Sequence, residues 1–411
     1  MNIVCVGGGP AGLYFAVLAK LRNRGHDITV IERNPAGVTY GWGVVFWDDL
    51  LDKLYSNDPV SAREIHKVSV LWGGQEVHVR GEHTAYLGGY GYSLGRKRLL
   101  DILVDRARGL GVDVQFEREV KDLSEFPEAD LIIACDGVNS SMRALHSGHF
   151  QTDVEVGRNK YIWLGTHQVF DSFTFAFEET AAGWIWFHAY PFDAETSTLI
   201  VECSPETWAG LGFDELESDQ SVKLLSEVFE RYLDNHSLIN QARGVDKAPW
   251  LNFRRISNNN WYCNNVVLMG DAAHTTHFAI GSGTKLAIAD AIALAGKLEA
   301  YDDLTSALHA YQEDRRGALL TVQHEALNST KWFENVPRYI DQQATQFAYS
   351  LWRRRGHYSL WRYQLHLATQ IAALRRLRRS LGAARRGLRA RRRAKLAQTH
   401  QHVSAARYAP E

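Results

Sequence analysis

A glycine-rich turn near the start of the chain has the residue types needed to hold a phosphate. Gly7, Gly9 and Gly12 form the pattern G-x-G-x-x-G between an apolar run, NIVCV, and a helix-like run, LYFAVLAKLRNRG. Glycines at this spacing permit a tight turn and close approach of backbone to a pyrophosphate, and the following helix supplies N–H donors and a positive dipole end. We therefore predict a dinucleotide site that includes Pro10 and Ala11. The alternative is a glycine turn without a ligand.

An acidic residue follows at the distance that such sites use for ribose. Glu32 lies twenty residues beyond Gly12, at the end of the run DITVIER. A carboxylate there can accept hydrogen bonds from ribose hydroxyls. Arg33, its neighbour, is predicted as a further cofactor contact. This pattern by itself does not distinguish FAD from NAD(P).

Two later motifs help to distinguish FAD from NAD(P). The run DGVNSSMR, which begins at Asp136, fits D-G-x-x-S-x-x-R directly after an apolar run, and GDAAH, which begins at Gly270, precedes the helix-like run GTKLAIADAIALAGKL. With these motifs the chain resembles the class A flavoprotein aromatic hydroxylases, the p-hydroxybenzoate hydroxylase-like family, in which all three occur in this order at comparable spacing. The resemblance covers roughly residues 1 to 300 and implies FAD as the cofactor.

The resemblance also implies roles at matching positions. Asp271 would contact the ribose or pyrophosphate region of FAD, and Asp136 would lie where the fold serves both FAD and the nicotinamide donor. Arg96 begins the run RKRL, which is similar to the family's R-x-x-L helix start, and would be an FAD contact. Without the family, an exposed helix cation is the better interpretation of Arg96.

A glycine loop after the GD motif completes the predicted site. Gly281, Gly283 and Thr284 are expected to face the flavin. His277 precedes this loop and is the candidate catalytic residue near the substrate ring, although a lone histidine is more often structural. The broader family has a proline where this chain has Phe278, and often an asparagine at the position of Lys285. These departures leave open how the reactive oxygen is held.

Several longer runs resemble a narrower group. YGWGVVF, GRNKYIWLGT, IVECS, HFAIGSGTKLAIADA and STKWFENV are similar to the salicylyl-CoA 5-hydroxylases and the monooxygenase portion of 2-aminobenzoyl-CoA monooxygenase, up to about residue 336. This resemblance implies a single-component monooxygenase that uses NADH or NADPH and O2 to hydroxylate an electron-rich aromatic ring, such as that of salicylyl-CoA, through a flavin C4a-hydroperoxide.

Two other functions are kept as alternatives. One is hydroxylation of a free or carrier-protein-bound aromatic in natural-product biosynthesis. The other is halogenation, because Trp184-Ile185-Trp186 resembles the start of the halogenase motif W-x-W-x-I-P. The Ile-Pro that should follow is missing. Alternating tryptophans on a strand more simply share one face of a sheet.

The elements that must position these motifs predict an α/β protein. Apolar strands lead into helices at both ends of the motif region, and a β-rich stretch lies between them. We predict a Rossmann-like FAD-binding domain from residues 1–65, 96–155 and 262–331, with an inserted β-sheet substrate domain from 66–95 and 156–261. Residues 332–411 are predicted as a C-terminal helical, Arg-rich region. The run HKVSVLWGGQEVHVRG alternates around two glycines, which predicts a hairpin.

Charge is distributed unevenly along the 411 residues. From Leu351 to Glu411 there are 16 Lys and Arg against one acid, a net +15, so a total of −1 leaves −16 for the rest. The Arg-rich segment from Arg353 to Arg393 could offset that acidity toward the phosphates of CoA. Arg158 and Lys160 are competing phosphate contacts, and a solvated tail is the alternative interpretation.

Composition and sequence patterns limit the predicted location, the state of the cysteines and the kinds of partner. No apolar run approaches the ~20 residues of a membrane span, and no signal-peptide pattern is present, so we expect a cytoplasmic protein. The four cysteines are widely spaced, which predicts buried free thiols and no metal site. The expected partners are a small aromatic substrate, CoA- or carrier-linked, and O2, without nucleic acid or membrane. A homo-oligomer is left open.

Overall fold

The computed structural model describes residues 1–39, 41–240, 248–356 and 360–407. The chain divides into two compact units, each built from three segments that are separate in sequence. The first unit contains Met1–Tyr40, Arg96–Gly157 and Phe253–Leu327, and the second contains Gly41–Gly95, Arg158–Asn252 and Asn328–Glu411. Residues 41–65 therefore group with the β-rich segments in this division. Tyr40 of the YGWGVVF run lies outside the described residues.

The strands are short except in the middle of the chain. In chain order they are β1 (Asn2–Val6), β2 (Asp27–Ile31), β3 (Gly43–Phe46), β4 (Val70–Trp72), β5 (Gln75–Val79), β6 (Glu82–Tyr86), β7 (Gly91–Gly95), β8 (Asp113–Gln115), β9 (Leu131–Ala134), β10 (Thr152–Thr166), β11 (Phe173–Thr180), β12 (Gly183–Pro191), β13 (Ser197–Cys203), β14 (Leu238–Ile239), β15 (Leu251–Asn258), β16 (Tyr262–Cys263) and β17 (Val266–Leu268).

The three longest helices, α10, α11 and α14, lie in the last third of the chain. In order they are α1 (Pro10–Arg22), α2 (Asp48–Asn57), α3 (Pro59–Val68), α4 (Arg96–Gly109), α5 (Ser141–Leu145), α6 (Ser147–Phe150), α7 (Pro205–Gly210), α8 (Ser218–Val228), α9 (Glu230–Leu233), α10 (Gly283–Ala300), α11 (Leu304–Phe333), α12 (Ala344–Arg353), α13 (Leu360–Thr369) and α14 (Ala372–Arg407).

A six-stranded sheet forms the centre of the first unit. Its strand order is β16-β17-β9-β1-β2-β8, and every pair is parallel except β16 with β17. β1, β9 and β17 are continuous apolar runs that are almost wholly buried, as parallel strands covered on both faces are. The first ten residues of α1 are buried as well. The predicted α/β fold with a Rossmann-like domain, an inserted β-sheet region and a C-terminal helical region is confirmed.

The second unit has an eight-stranded sheet and a three-stranded one. The larger sheet has the order β14-β10-β13-β12-β11-β5-β6, with β15 beside β10, and the smaller has the order β3-β7-β4. One face of the larger sheet carries Ile162, Phe187 and Val201 into a core closed by Leu225 of α8. Helices α7 to α9 interrupt the stretch predicted as β-rich, because their apolar residues cover this core.

The predicted hairpin around Gly73 and Gly74 is wrong. β4 pairs with β7 in the three-stranded sheet, whereas β5 pairs with β6 and β11 in the eight-stranded sheet. The alternating pattern correctly predicts two strands. It does not determine the partner of each strand, because pairing depends on which sheet buries the apolar side.

The C-terminal region is helical, as predicted, and part of it packs against α2 within the second unit. Arg393 of α14 is buried and donates to the carboxylates of Asp48 (2.8 Å) and Asp52 (2.7 Å) on α2. The solvated-tail interpretation is therefore wrong for this arginine. In the described part of the chain, no helix is both long enough and apolar enough to cross a membrane.

Candidate functional site

The turn between β1 and α1 requires glycine at two of its positions. Gly7 has φ +124°, and a Cβ added there would lie 2.2 Å from the carbonyl oxygen of Cys135. A Cβ on Gly12 would lie 2.3 Å from the carbonyl oxygen of Gly7. Gly9, the N-cap of α1, has nothing within 4 Å of a built Cβ, and Pro10 occupies the first helical turn. The start of α1 is therefore open to a ligand, and its first N–H groups have no partner within the helix.

Glu32 supports this turn from the end of β2. Its Oε2 accepts from the N–H of Gly8 at 2.9 Å, and its Oε1 accepts from the N–H of Asn34, also at 2.9 Å. Arg33 is exposed beside it. A carboxylate has about four acceptor positions, so these bonds leave capacity for a ribose hydroxyl. Glu32 thus fixes the loop in addition to its predicted role.

The DG motif lies next to the same turn. Asp136 follows β9, and its Oδ2 accepts from the N–H groups of Ser141 (2.8 Å) and Met142 (3.2 Å) at the start of α5. Its Oδ1 is buried and has no hydrogen-bond donor among the described residues. A buried carboxylate oxygen without a donor is costly, about 1–3 kcal/mol, and is what a site for a hydroxyl- or N–H-bearing ligand would leave.

The GD motif closes the other side of the turn. A Cβ on Gly270 would lie 3.0 Å from Cβ of Ala11, so the two loops are in contact. Asp271 is solvent-accessible, yet burial raises its pKa, and the charge of Arg96 opposes that rise. Asp271 and Arg96 are therefore close enough for their charges to interact. Arg96 is half-buried there, and its Nε donates to the Thr39 hydroxyl at 3.0 Å.

The sequence did not predict the network that holds the GD motif. Asp290 of α10 is fully buried and accepts from the N–H of Gly270 (3.0 Å), from Nε2 of His274 (2.8 Å) and from Nε of Arg315 (2.7 Å). Burial raises the pKa of Asp290, but its interactions with His274 and with the Arg315 guanidinium outweigh the effect of burial, so the pKa is lowered. The signal in the sequence was one acid inside the apolar run LAIADAIAL.

The glycine loop and the start of α10 are also open. Gly281 has φ +64°, and a Cβ on Gly283, the first residue of α10, would meet nothing within 4 Å. Thr284 follows in the first turn, which lacks a side-chain cap from Ser282. The N-terminus of this 18-residue helix is therefore available for a ligand.

His277 has a structural role in addition to any chemical one. It is 3% exposed, and its Nδ1 accepts from the N–H of Ala279 at 3.2 Å, which caps the short helix Phe278–Ile280. Its ring lies 5.0 Å from that of Phe253. Because its Nδ1 accepts this capping hydrogen bond, the His277 ring is held in place by the loop that follows it. Its catalytic role stays a prediction.

The second unit contains a buried carboxyl group that the sequence also did not reveal. Glu202 of β13 is 1% exposed, and its oxygens accept from Nδ2 of Asn159 (2.8 Å) and Nε1 of Trp186 (3.3 Å). Burial raises its pKa to about 7, although both hydrogen bonds oppose the rise. Glu202 is thus a group that can hold or release a proton near neutral pH. It lies within IVECS, where one acid in an apolar strand was the signal.

The predicted phosphate contacts of the second unit are already paired. Arg158 forms an ion pair with Glu206, and Nζ of Lys160 donates to Asn252 at 2.8 Å. Nearby, Trp163 is half-exposed, and its buried Nε1 has no acceptor among the described residues. A Cβ added to Gly41 would lie 3.4 Å from the Trp163 ring, so the ring lies directly beside this glycine.

Comparison with known proteins agrees with this geometry. Residues 1–324 match the family model described as FAD binding domain. The chain is 39% identical over 361 residues to a salicyloyl-CoA 5-hydroxylase from a Streptomyces species, covering 85% of this chain and 69% of that protein. It is 33% identical to a 3-hydroxy-4-methyl-anthranilyl-[aryl-carrier protein] 5-monooxygenase from Streptosporangium sibiricum, covering 86% and 96%.

A solved structure shows the same fold. The crystal structure of 2-methyl-3-hydroxypyridine-5-carboxylic acid oxygenase superposes with a TM-score of 0.67 at 21% identity, covering 86% of this chain and 98% of that one.

Proposed function

Since this chain belongs to the FAD binding domain family and is an FAD-dependent aromatic monooxygenase, we propose that it hydroxylates an aromatic ring carried as a thioester, with an aryl-CoA such as salicylyl-CoA as the substrate. The observation that carries the thioester is that two relatives at 39% and 33% identity act on aromatics linked to CoA or to a carrier protein. The resemblance of the five sequence runs points to the same substrate class.

The first unit would hold FAD at the three motifs. The open start of α1 and the donor-free Oδ1 of Asp136 fit a group that brings a pyrophosphate and hydroxyl donors. The neighbouring charges of Asp271 and Arg96 offer the cofactor an acceptor and a donor. The proposed contacts are Gly7, Gly9, Pro10, Ala11, Gly12, Glu32, Arg33, Arg96, Asp136, Asp271, Gly281, Gly283 and Thr284.

When bound and reduced by NADH or NADPH, FAD supplies an activated oxygen atom from O2 to an electron-rich ring. The chain itself has to orient the cofactor and exclude water. Arg96 would provide a positive charge beside Asp271, and the N-terminus of α10 would provide N–H donors. No second G-x-G-x-x-G is present in the sequence, so the nicotinamide donor would bind without a Rossmann domain of its own.

Trp163 would contact the substrate. It lies on the face of β10 opposite the core residue Ile162, it is half-exposed, and its indole N–H lacks an acceptor in the described structure. An acceptor such as a thioester or amide carbonyl would satisfy that donor. Trp163→Phe should therefore raise KM with little change in kcat, because it removes one hydrogen bond and keeps the ring.

A second candidate function has a specific observation in its favour. The match to the 33%-identical relative covers 96% of that protein, which acts on a carrier-protein-linked anthranilyl group. A carrier-linked aromatic is therefore the alternative form of the substrate. Both forms share a thioester, which separates them from a free acid.

The test is a substrate comparison with purified, FAD-loaded protein. Salicylyl-CoA, free salicylate and anthraniloyl thioesters of CoA and of a carrier protein are each supplied with NADH or NADPH, and the ring-hydroxylated product is measured by mass spectrometry. We expect kcat/KM for a thioester to exceed that for free salicylate at least tenfold. The opposite preference would exclude the thioester assignment. A purified protein that takes up no FAD would refute the function as a whole.

A further inference from the structure

The last helix, α14, contains a seven-residue repeat. Its residues 374–380, 381–387 and 388–394 read LRRLRRS, LGAARRG and LRARRRA. Each begins with leucine, each has arginine at its fifth and sixth positions, and each ends with a small residue. Leucine at each first position, with Leu377 and Ala384 at the fourth positions of the first two repeats, matches the spacing of helices that pair side by side.

Four arginines at second and sixth positions of the repeat contact the protein. Arg393, at a sixth position, is buried against Asp48 and Asp52 of α2, and Arg389, at a second position, pairs with Asp48 at 3.0 Å. Arg386 lies over the ring of Tyr90 at 4.7 Å, and Arg375 lies over that of Tyr86 at 3.5 Å. One side of α14 is thereby packed against other elements of the second unit.

The leucine side faces outward. Leu374, Leu377, Leu381 and Leu388 are 42%, 56%, 57% and 66% exposed, and Ala384 is exposed between them. Spacings of three and four residues place these five on one stripe, about 80° wide, along ~20 Å of helix. A stripe this narrow is the seam of a helix pair rather than the broader apolar face of a helix that covers a core. We call it the leucine seam.

The charges beside the leucine seam have one sign. Arg385 and Arg392 flank it at the fifth positions and are exposed, while Arg378, at the equivalent position, is half-buried. The helix has twelve Arg and Lys and no acid between residues 372 and 407. Two copies of α14 would repel each other, and a parallel pair would place Arg391 against Arg391 in the seam. A second copy of this chain is therefore a poor occupant.

We infer that the leucine seam binds an acidic amphipathic helix of a partner protein, with apolar residues of the partner against Leu374, Leu381 and Leu388 and carboxylates against Arg385 and Arg392. Arginine recurs at every fifth position of the repeat, beside the seam, where paired helices place the charged residues that select a partner. This regular placement is the reason to prefer a helix over an anionic lipid surface, which requires no such register.

The direct test uses the full-length protein and a synthetic peptide. A labelled 28-residue peptide with Leu at the first and fourth positions of each heptad and Glu at the fifth and seventh is titrated with protein, and fluorescence anisotropy is recorded. Its matched control carries Lys in place of Glu. We expect the Glu peptide to bind and the Lys peptide not to bind. Absence of binding by the Glu peptide would overturn the inference.

Paired variants test whether binding follows the seam or only the charge. Leu381→Ser with Leu388→Ser should weaken binding of the Glu peptide at least about tenfold, because each leucine loses its apolar contact. Arg385→Glu with Arg392→Glu should abolish it and allow the Lys peptide to bind. The control Arg376→Glu with Arg379→Glu changes the net charge equally on exposed residues away from the seam, and should alter affinity by less than about threefold.

Further measurements exclude misfolding and a lipid surface. All of these residues are exposed, so FAD content and the circular dichroism spectrum should match the wild type in every variant. Vesicles of phosphatidylcholine with one third phosphatidylglycerol are tested by co-sedimentation. The inference would be overturned if the protein bound vesicles, both double-arginine variants weakened that binding equally, and the Glu peptide did not bind. The partner of α14 would then be a membrane surface.

Discussion

The buried network around Asp290 provides the sharpest test of how the site is held. We consider Asp290→Asn, which keeps the size of the side chain and removes its charge. Asp290 serves three donors, the N–H of Gly270, His274 and Arg315, at 2.7–3.0 Å. The single oxygen of an amide cannot accept from all three in the same geometry, and its NH2 group would face a donor.

The size of the effect follows from burial. Asp290 is 0% and Arg315 7% exposed, so the variant leaves a buried guanidinium without its counter-ion. Breaking a buried pair in this way typically costs about 3–5 kcal/mol. For a folding unit of about 150–250 residues, that corresponds to a decrease in Tm of about 6–20 °C. FAD retention should also fall, because the N–H of Gly270 loses its acceptor next to Asp271.

Thermal and urea unfolding of the flavin-free protein measure the first effect, and FAD titration measures the second. Asp302→Asn, an exposed acid near the end of α10, is the matched control and should stay within about 0.5 kcal/mol of the wild type. The pKa of Asp290 is lowered in the fold, so its contribution is complete above its ordinary value of 3.8 and is lost as pH falls further. A loss below about 1 kcal/mol at pH 7 would refute the proposed role of the network.

The other predictions concern the cofactor turn, the buried acid, the reaction type and the tail. Gly9→Ala should change the stability of the flavin-free protein by about 1 kcal/mol or less, since its Cβ meets nothing, yet weaken FAD binding at least tenfold by titration; equal losses in both would contradict an open cradle. Because the pKa of Glu202 is raised, the free energy of unfolding of the wild type should fall by about 3 kcal/mol relative to that of Glu202→Gln as pH rises from 4.5 to about 7. Urea unfolding measures this, and a difference that does not change with pH would contradict the raised pKa. Because no Ile-Pro follows Trp186, product formed under 18O2 should carry one labelled ring oxygen, with no halogenated product in chloride or bromide; halide incorporation would assign halogenation instead. Ending the chain after Gln370 removes α14 and its positive charge, and should raise KM for an aryl-CoA more at low salt than at high salt; unchanged kinetics would show that α14 is not involved.

The sequence alone was sufficient for features that depend on residues close together in the chain. The turn at Gly7 to Gly12 needs glycine because of its own backbone geometry, and the strands on either side are continuous apolar runs. Parallel order then follows from strands alternating with helices. All four cysteines are free thiols, as their spacing predicted, but only Cys5, Cys135 and Cys203 are buried, and Cys263 is half-buried.

Tertiary structure decided the features that join distant segments. Asp290 meets Arg315 across 25 residues, and Arg393 meets Asp48 across 345. β4 and β5 are neighbours in sequence but enter different sheets. The residue type of an arginine or an acid does not indicate whether it is solvated or buried. Its partner and its pKa therefore depend on the burial that packing creates. The sequence thus determined the type of site and most of its elements, and packing determined which charges hold it together.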